Sequence, residues 1–162
     1  MIHDIQYWLN RLNLNPHPEG GYFKEIYRSS DLMKVPDIDD KRNISTAIYY
    51  LLTEGSFSAF HRIRSDECWH FYAGDSLSIH MIHPDGLFES KIIGNQKKNE
   101  EEPFAVVPKN TWFAAKSNGA FSLVGCTVAP GFDFADFEMA EREKLISQFP
   151  LCFSLIEEFT RV

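Results

Sequence analysis

The sequence predicts an all-β protein, a sandwich or barrel with one short helix ahead of it and two behind it. Three observations predict this. Nine short segments rich in β-branched and aromatic residues follow one another between residues 22 and 128. Turn residues such as HPDG (83–86) and SNG (117–119) separate them at near-regular spacing, the pattern of sandwiches and barrels and not of βαβ units. Helical periodicity is confined to the two ends of the chain.

Each element has its own warrant. Residues 3–12 place Ile5, Trp8, Leu9 and Leu12 on one helical face. NPHPEGG (15–21) ends that helix with two prolines and a glycine pair. The strands are then 22–29, 44–52, 56–63, 67–73, 76–82, 87–94, 103–108, 111–116 and 120–128. GNQKKNEEE (94–102) reads as an exposed polar hairpin tip. DLMKVPDIDDKRN (31–43) is a long loop whose length makes it a candidate lid. Asp133 is placed to cap a helix running through FADFEMAEREKLI, with Asp136 in its first turn. Pro150 suits the first turn of a last helix, with Leu151, Cys152, Leu155, Ile156 and Phe159 as its buried stripe. No internal repeat or linker divides the 162 residues, so one domain is expected, burying roughly two-thirds of the surface of the unfolded chain.

Composition excludes several functions. A formal net charge of −7, with 16 scattered Lys and Arg, argues against nucleic acid as a partner, because phosphate backbones need clustered cations. No run approaches the ~20 apolar residues of a membrane span. The N-terminal segment carries Asp4 and Arg11 inside its apolar run, which reads as an amphipathic helix and not as a signal peptide. Cys68, Cys126 and Cys152 lack C-x-x-C spacing and suit the reduced thiols of a cytoplasmic protein. Phosphate-loop, dinucleotide and nucleophile-elbow motifs are all missing from the sequence.

The stretch GSFSAFHRIRSDECWHFYAG (55–74) has the spacing of a metal motif with one ligand replaced. Gly55, five residues, His61, Arg62, Ile63, three residues, Glu67, six residues and Gly74 follow the first cupin motif, in which residue 63 would be a second histidine. The second cupin motif, Pro-x-Gly-x-x-His, corresponds to Pro108 through Phe113, with Phe113 in the histidine's place. Beyond the motifs, HPEGGYFKEIYRS (17–29), SDECWHFYAG (65–74) and LVGCTVAPGFDFADFE (123–138) resemble one particular cupin subfamily, of the cupin_5 type. The resemblance implies a cupin jelly-roll β-barrel with a short N-terminal helix and two C-terminal helices, similar in fold to dTDP-4-dehydrorhamnose 3,5-epimerase. It also implies a homodimer. It brings no established activity, so function rests on the site.

Strand alternation gives that site a shape. His61 and residue 63 face the same way. If 57–63 and 67–73 pair as a hairpin, His61 and Glu67 share a face with Phe57, Ala59, Ile63, Trp69 and Phe71. His70 has the opposite parity and points away unless a bulge intervenes. The two matched positions supply only two metal ligands, where a first-row metal wants three or four. A third would need an unmatched residue such as His70 or His80, so no metal cofactor is expected.

An imidazole beside a carboxylate suits acid–base work. Epimerases of similar fold take a proton from the carbon next to a sugar carbonyl with a histidine base. By that resemblance His61 is the base and Glu67 its orienter. Trp69 would be a stacking face for a small carbohydrate- or nucleotide-like ligand, within a lining that includes Phe71 and Phe113. Tyr49, Tyr50 and Tyr72 are the candidate acids, while Arg64 and Lys109 are placed to meet an anionic group. The rings equally serve as ordinary barrel core, and Cys126 as a small buried hydrophobe. The expected function is a metal-independent epimerase or isomerase. The alternatives are a non-catalytic cupin binding a small molecule in the same pocket and, more weakly, a metal-dependent cupin enzyme.

Overall fold

In a computed structural model all nine expected strands form, with ends that differ from the sequence reading by no more than two residues. The structure describes residues 4–36, 38, 40–95 and 100–161. Among the described residues, four very short strands join the nine. The series is β1 (Asn15–Pro16), β2 (Tyr22–Arg28), β3 (Leu32–Met33), β4 (Arg42–Asn43), β5 (Thr46–Thr53), β6 (Phe57–Arg62) and β7 (Asp66–Gly74). It continues with β8 (Leu77–Ile82), β9 (Phe88–Ile93), β10 (Phe104–Val107), β11 (Trp112–Ser117), β12 (Phe121–Ala129) and β13 (Glu138–Met139). One sheet has the order β1-β2-β5-β12-β7-β10 and the other β13-β6-β11-β8-β9, while β3 pairs with β4 apart from both. The two large sheets face each other in the jelly-roll arrangement.

Side-chain alternation explains three separate cores. Inward residues of both sheets, among them Tyr50, Leu52, Trp69, Ile79, Met81, Phe113 and Val124, fill the barrel. Their neighbours point out. On β11, Trp112 and Ala114 face the C-terminal helices together with Phe60, Ile82, Leu145, Ile156 and Phe159. On the other sheet, Leu51 and Leu123 face the N-terminal helix α1 (Ile5–Leu12), which lays Ile5, Trp8, Leu9 and Leu12 over them. Sheets buried on both faces read as long apolar runs, as WFAA and LVGC do here.

Several expectations need correcting. The segment after β6 does not turn back as a hairpin. β6 pairs with β11 and β13, whereas β7 pairs with β12 and β10, so Arg64 and Ser65 carry the chain from one sheet to the other. His61 and Glu67 still both face inward, because the inner faces of the two sheets meet. Asp133 does cap, accepting from the Ala135 N–H at 2.8 Å, but only a 3₁₀ turn at Phe134–Asp136 follows. The chain then extends as β13 along β6, and helix α2 starts at Arg142 and ends at Gln148. Phe132, Phe134 and Phe137 pack on one another, and this cluster holds the segment out of a helix.

The last helix opens with a 3₁₀ turn at Pro150–Cys152 before α3 (Phe153–Glu158). Its three-residue period shifts the helical phase, so Leu151 is fully exposed instead of joining the buried stripe. The 31–43 loop holds the β3–β4 pair, and residues 37 and 39 lie outside the described residues. So do the tip residues 96–99 of the polar hairpin and residue 3 of the expected first helix, which begins at Ile5 behind the N-cap Asp4.

Candidate functional site

The site begins with the turn HPEGG between β1 and β2. His17 N–H donates to Gly21 O, and Gly20 N–H to His17 O, both at 3.0 Å. Gly20 sits at φ 117°, and a Cβ there would overlap the Phe57 carbonyl oxygen, so only glycine lets the turn lie flat on β6. Two hydrogen bonds then hook Glu19 to its neighbours. Its carbonyl accepts from Ala59 N–H at 2.9 Å and from Arg161 Nη2 at 2.8 Å. The Glu19 side chain is thereby turned into the barrel.

There it meets His61 of β6. Glu19 Oε1 accepts from Ser58 Oγ at 2.9 Å, and Oε2 lies 3.0 Å from His61 Nε2. His61 Nδ1 is 2.7 Å from Ala59 O. A carbonyl only accepts, so Nδ1 carries a hydrogen. In the neutral ring Nε2 would then present a lone pair to a carboxylate oxygen, which is repulsive. The contact therefore holds one proton between the two groups, as imidazolium with carboxylate or imidazole with carboxylic acid. Phe113 lies against one part of the ring at 4.1 Å and Phe137 at 5.3 Å.

Glu67, at the start of β7, lines the same cavity as Glu19 and His61. Burial, reinforced by the Glu19 carboxylate, raises its pKa to about 8, with the Cys126 thiol pulling the other way. Glu67 is thus a carboxylic acid at neutral pH, a proton donor. His17 also lines the cavity. Its Nδ1 accepts the Glu19 N–H at 3.2 Å, and burial lowers its pKa more than Glu19 raises it. The cavity itself is narrow, about 80 Å³. Its lining includes Phe132 and Phe134, and also Arg28, whose guanidinium is committed to Glu25 at 2.9 and 2.7 Å.

The structure brings together only part of the residue set read from the sequence. His61 and Glu67 share the cavity, but the carboxylate paired with His61 is Glu19. Trp69 is 1% exposed and packs edge-on against Tyr50 and Phe113 at 5.8 and 6.2 Å, so no ring face is open to a ligand. Phe113 and Phe71 belong to the barrel core. Tyr49 has outward parity and meets Tyr72 edge-on at 6.1 Å on the far side of the sheet. Tyr50 faces inward, with its hydroxyl donating to Gly20 O at 2.7 Å.

Arg64 and Lys109 line a second cavity of about 460 Å³, and Ile63 is a wall common to both cavities. Arg62 faces away, stacked on Trp112 at 4.5 Å and paired with Glu138 at 2.7 Å. His70 and His80 are also outside, bound to Thr127 Oγ1 at 3.2 Å and Ser90 Oγ at 2.7 Å. Glu19 and His17 were the residues missed. They lie in a stretch whose prolines and glycines read as a turn, and the available signal was a glutamate directly ahead of two glycines.

The cupin fold implies a metal held by histidines and a glutamate, and the donors here do not fit one. Ile63 and Phe113 have no donor atom. Both nitrogens of His61 are engaged. Among the described residues no group of three or more His, Cys, Asp and Glu is arranged to hold a metal ion.

Comparisons with known proteins agree with this fold. The Saccharomyces cerevisiae protein named Uncharacterized protein YML079W is 34% identical over 154 residues, spanning 86% of this chain and 76% of the yeast one. A solved structure of a hypothetical protein from Leishmania major superposes with a TM-score of 0.93 at 31% identity, covering 99% of this chain and all of that one. Protein SO0799 from Shewanella oneidensis gives 0.90 at 37% identity over 99% of both chains. Oxalate decarboxylase from Bacillus subtilis, at 13% identity and a TM-score of 0.57, shares the fold over 90% of this chain and 36% of its own length. The model of the cupin superfamily (DUF985) matches residues 6–140, and the chain belongs to that family.

Proposed function

We propose that the barrel cavity is an acid–base site for a small carbonyl compound, carbohydrate- or nucleotide-like, with the chemistry of an epimerase or isomerase. One observation carries the proposal. A carboxyl group that keeps its proton at neutral pH and a carboxylate–imidazole pair that shares one line the same cavity. A proton donor and a proton acceptor facing one cavity are what acid–base work on a bound ligand needs.

Glu19 is the base in this reading, acting as the carboxylate of the imidazolium–carboxylate form, and His61 the residue that positions it, because both imidazole nitrogens are taken. The Glu19 carboxylate accepts the proton of the carbon next to the carbonyl. Glu67 gives its proton to the carbonyl oxygen, so a C–H bond breaks, an O–H bond forms and an enol results. Glu19 can then return its proton to the former carbonyl carbon while a hydroxyl on the next carbon gives its proton to the Glu67 carboxylate, which yields the isomer. A solvent proton delivered to the original carbon from its other face, with the enol proton returning to Glu67 and the Glu19 proton passing to solvent, yields the epimer. dTDP-4-dehydrorhamnose 3,5-epimerase is the type of reaction meant. Phe132 and Phe134 replace Trp69 as the rings a sugar or base would meet. Arg64 and Lys109, beyond Ile63, are placed for an anionic extension of the ligand.

The test is exchange of solvent deuterium into keto sugars and sugar nucleotides, followed by proton NMR. Wild-type protein should label at least one compound at the carbon beside its carbonyl. Glu19→Gln and His61→Asn should slow labelling roughly 10²- to 10⁴-fold while binding changes only a few-fold. Compounds that bind without any exchange would turn the site into a non-catalytic binding pocket and remove the enzyme reading.

A further inference from the structure

Beyond this acid–base reading, on which the inference rests, we infer that His17 presents its Nε2–H to the carbonyl oxygen of the ligand. It is the second donor beside Glu67, and it selects compounds able to become planar enolates. The hydrogen bond at Nδ1 sets the tautomer of the ring. A backbone N–H can only donate, and that of Glu19 points at His17 Nδ1 from 3.2 Å. Nδ1 therefore holds a lone pair, and the hydrogen of the neutral ring sits on Nε2. The contact to Glu19 Oε2, at 3.7 Å, is too long for a hydrogen bond that would demand the other tautomer.

Nε2 has no hydrogen-bond partner among the described residues. The side chain is only 7% exposed, and its ring lines the cavity. A ligand in that cavity is the partner open to this N–H. The ring is also rigidly held. Phe23 meets it edge-on at 4.4 Å and Tyr50 at 5.8 Å. Pro16 and Pro18 flank it in sequence, which limits the backbone on both sides.

The resulting arrangement fits one step of the proposed reaction. Negative charge develops on the carbonyl oxygen as the C–H proton leaves. Fixed neutral donors aimed at that oxygen stabilise the charge without the reorganisation water needs. A neutral imidazole is also better matched to an enol than an imidazolium would be.

Two substitutions separate this role from a structural one. Asn at 17 keeps an acceptor near the place of Nδ1, so the Glu19 N–H stays bonded while the outer donor is lost. Gln reverses this, placing an amide N–H near Nε2. The probe is acetohydroxamate, a small planar enolate mimic, titrated by calorimetry. Its affinity should fall roughly tenfold in His17→Asn and stay within about threefold of wild type in His17→Gln. In wild type, ¹⁵N NMR of the ring at neutral pH should show hydrogen on Nε2 and none on Nδ1. Acetohydroxamate that binds wild type and His17→Asn equally overturns the His17 role alone, as does hydrogen on Nδ1. Wild type that fails to bind the probe overturns the acid–base reading and this inference with it.

Discussion

Glu67 shows how far one residue's chemistry depends on what surrounds it. In the unfolded chain its carboxyl would titrate at 4.5, and in the folded barrel burial beside Glu19 moves this to about 8. Between those values the folded state binds a proton that the unfolded state releases, so stability falls as pH rises through the window. The full difference is on the order of 5 kcal/mol by the linkage relation. Glu67→Gln keeps the shape and cannot ionise. It should be more stable than wild type above about pH 8, and the advantage should shrink toward pH 5. Denaturant unfolding across that range checks this, and parallel curves for the two proteins would show that Glu67 is not buried as a neutral acid. Glu67 was readable from motif spacing. Its protonation was not, because that depends on burial in the closed barrel and then on Glu19, which lies on a different element.

At the scale of elements, the turn between β1 and β2 positions the site. Its glycine pair lets the backbone lie against β6 and aims Glu19 inward. Gly20→Ala puts a Cβ into the Phe57 carbonyl at a φ of 117°, and should cost about 3 kcal/mol. That corresponds to roughly 6 to 12 °C in Tm for a chain of this size, with larger loss at the site than at the distant α1. A melting temperature unchanged within about 2 °C would mean that the turn is free to move and does not fix Glu19. The nine main strands were legible, because apolar and β-branched runs bounded by turn residues carry their own signal. β13 and the 3₁₀ turn before it were not. FADFEMAEREKLI has helical composition throughout, and the first half is claimed by β6 and by the ring cluster of Phe132, Phe134 and Phe137.

The whole molecule leaves one sheet face half covered. α1 lies over one part of the outer face of the larger sheet. Tyr27, Tyr72 and Phe104, on the same sheet, stay about half exposed. The resemblance implies a homodimer, and this bare half offers an apolar surface for a second copy. Sedimentation velocity at micromolar concentration should report a dimer, and Tyr72→Glu should shift it to monomer by placing a charge in an apolar contact. A wild-type protein that sediments as a monomer throughout would remove the expectation. At this scale the cysteines are all free thiols, and no helix among the described residues is long and apolar enough to cross a membrane.

The sequence by itself determined the nine main strands, both ends of the helical frame and the family. Alternation along a strand, a local property, also set which residues share a face with His61 and which with Glu67, whereas the meeting of those two faces was read from a hairpin that does not form. Only the tertiary structure decided who pairs with whom. It joined β6 to β11 and β13 instead of β7, sealed Trp69 in the core, and moved Arg64 and Lys109 to a separate cavity. It also brought Glu19, forty-two positions away from His61 in the chain, to 3.0 Å from Nε2. The physical reason is that hydrogen bonds and charge coupling act over a few ångströms of space. Contacts between distant segments exist only once the sheets have closed.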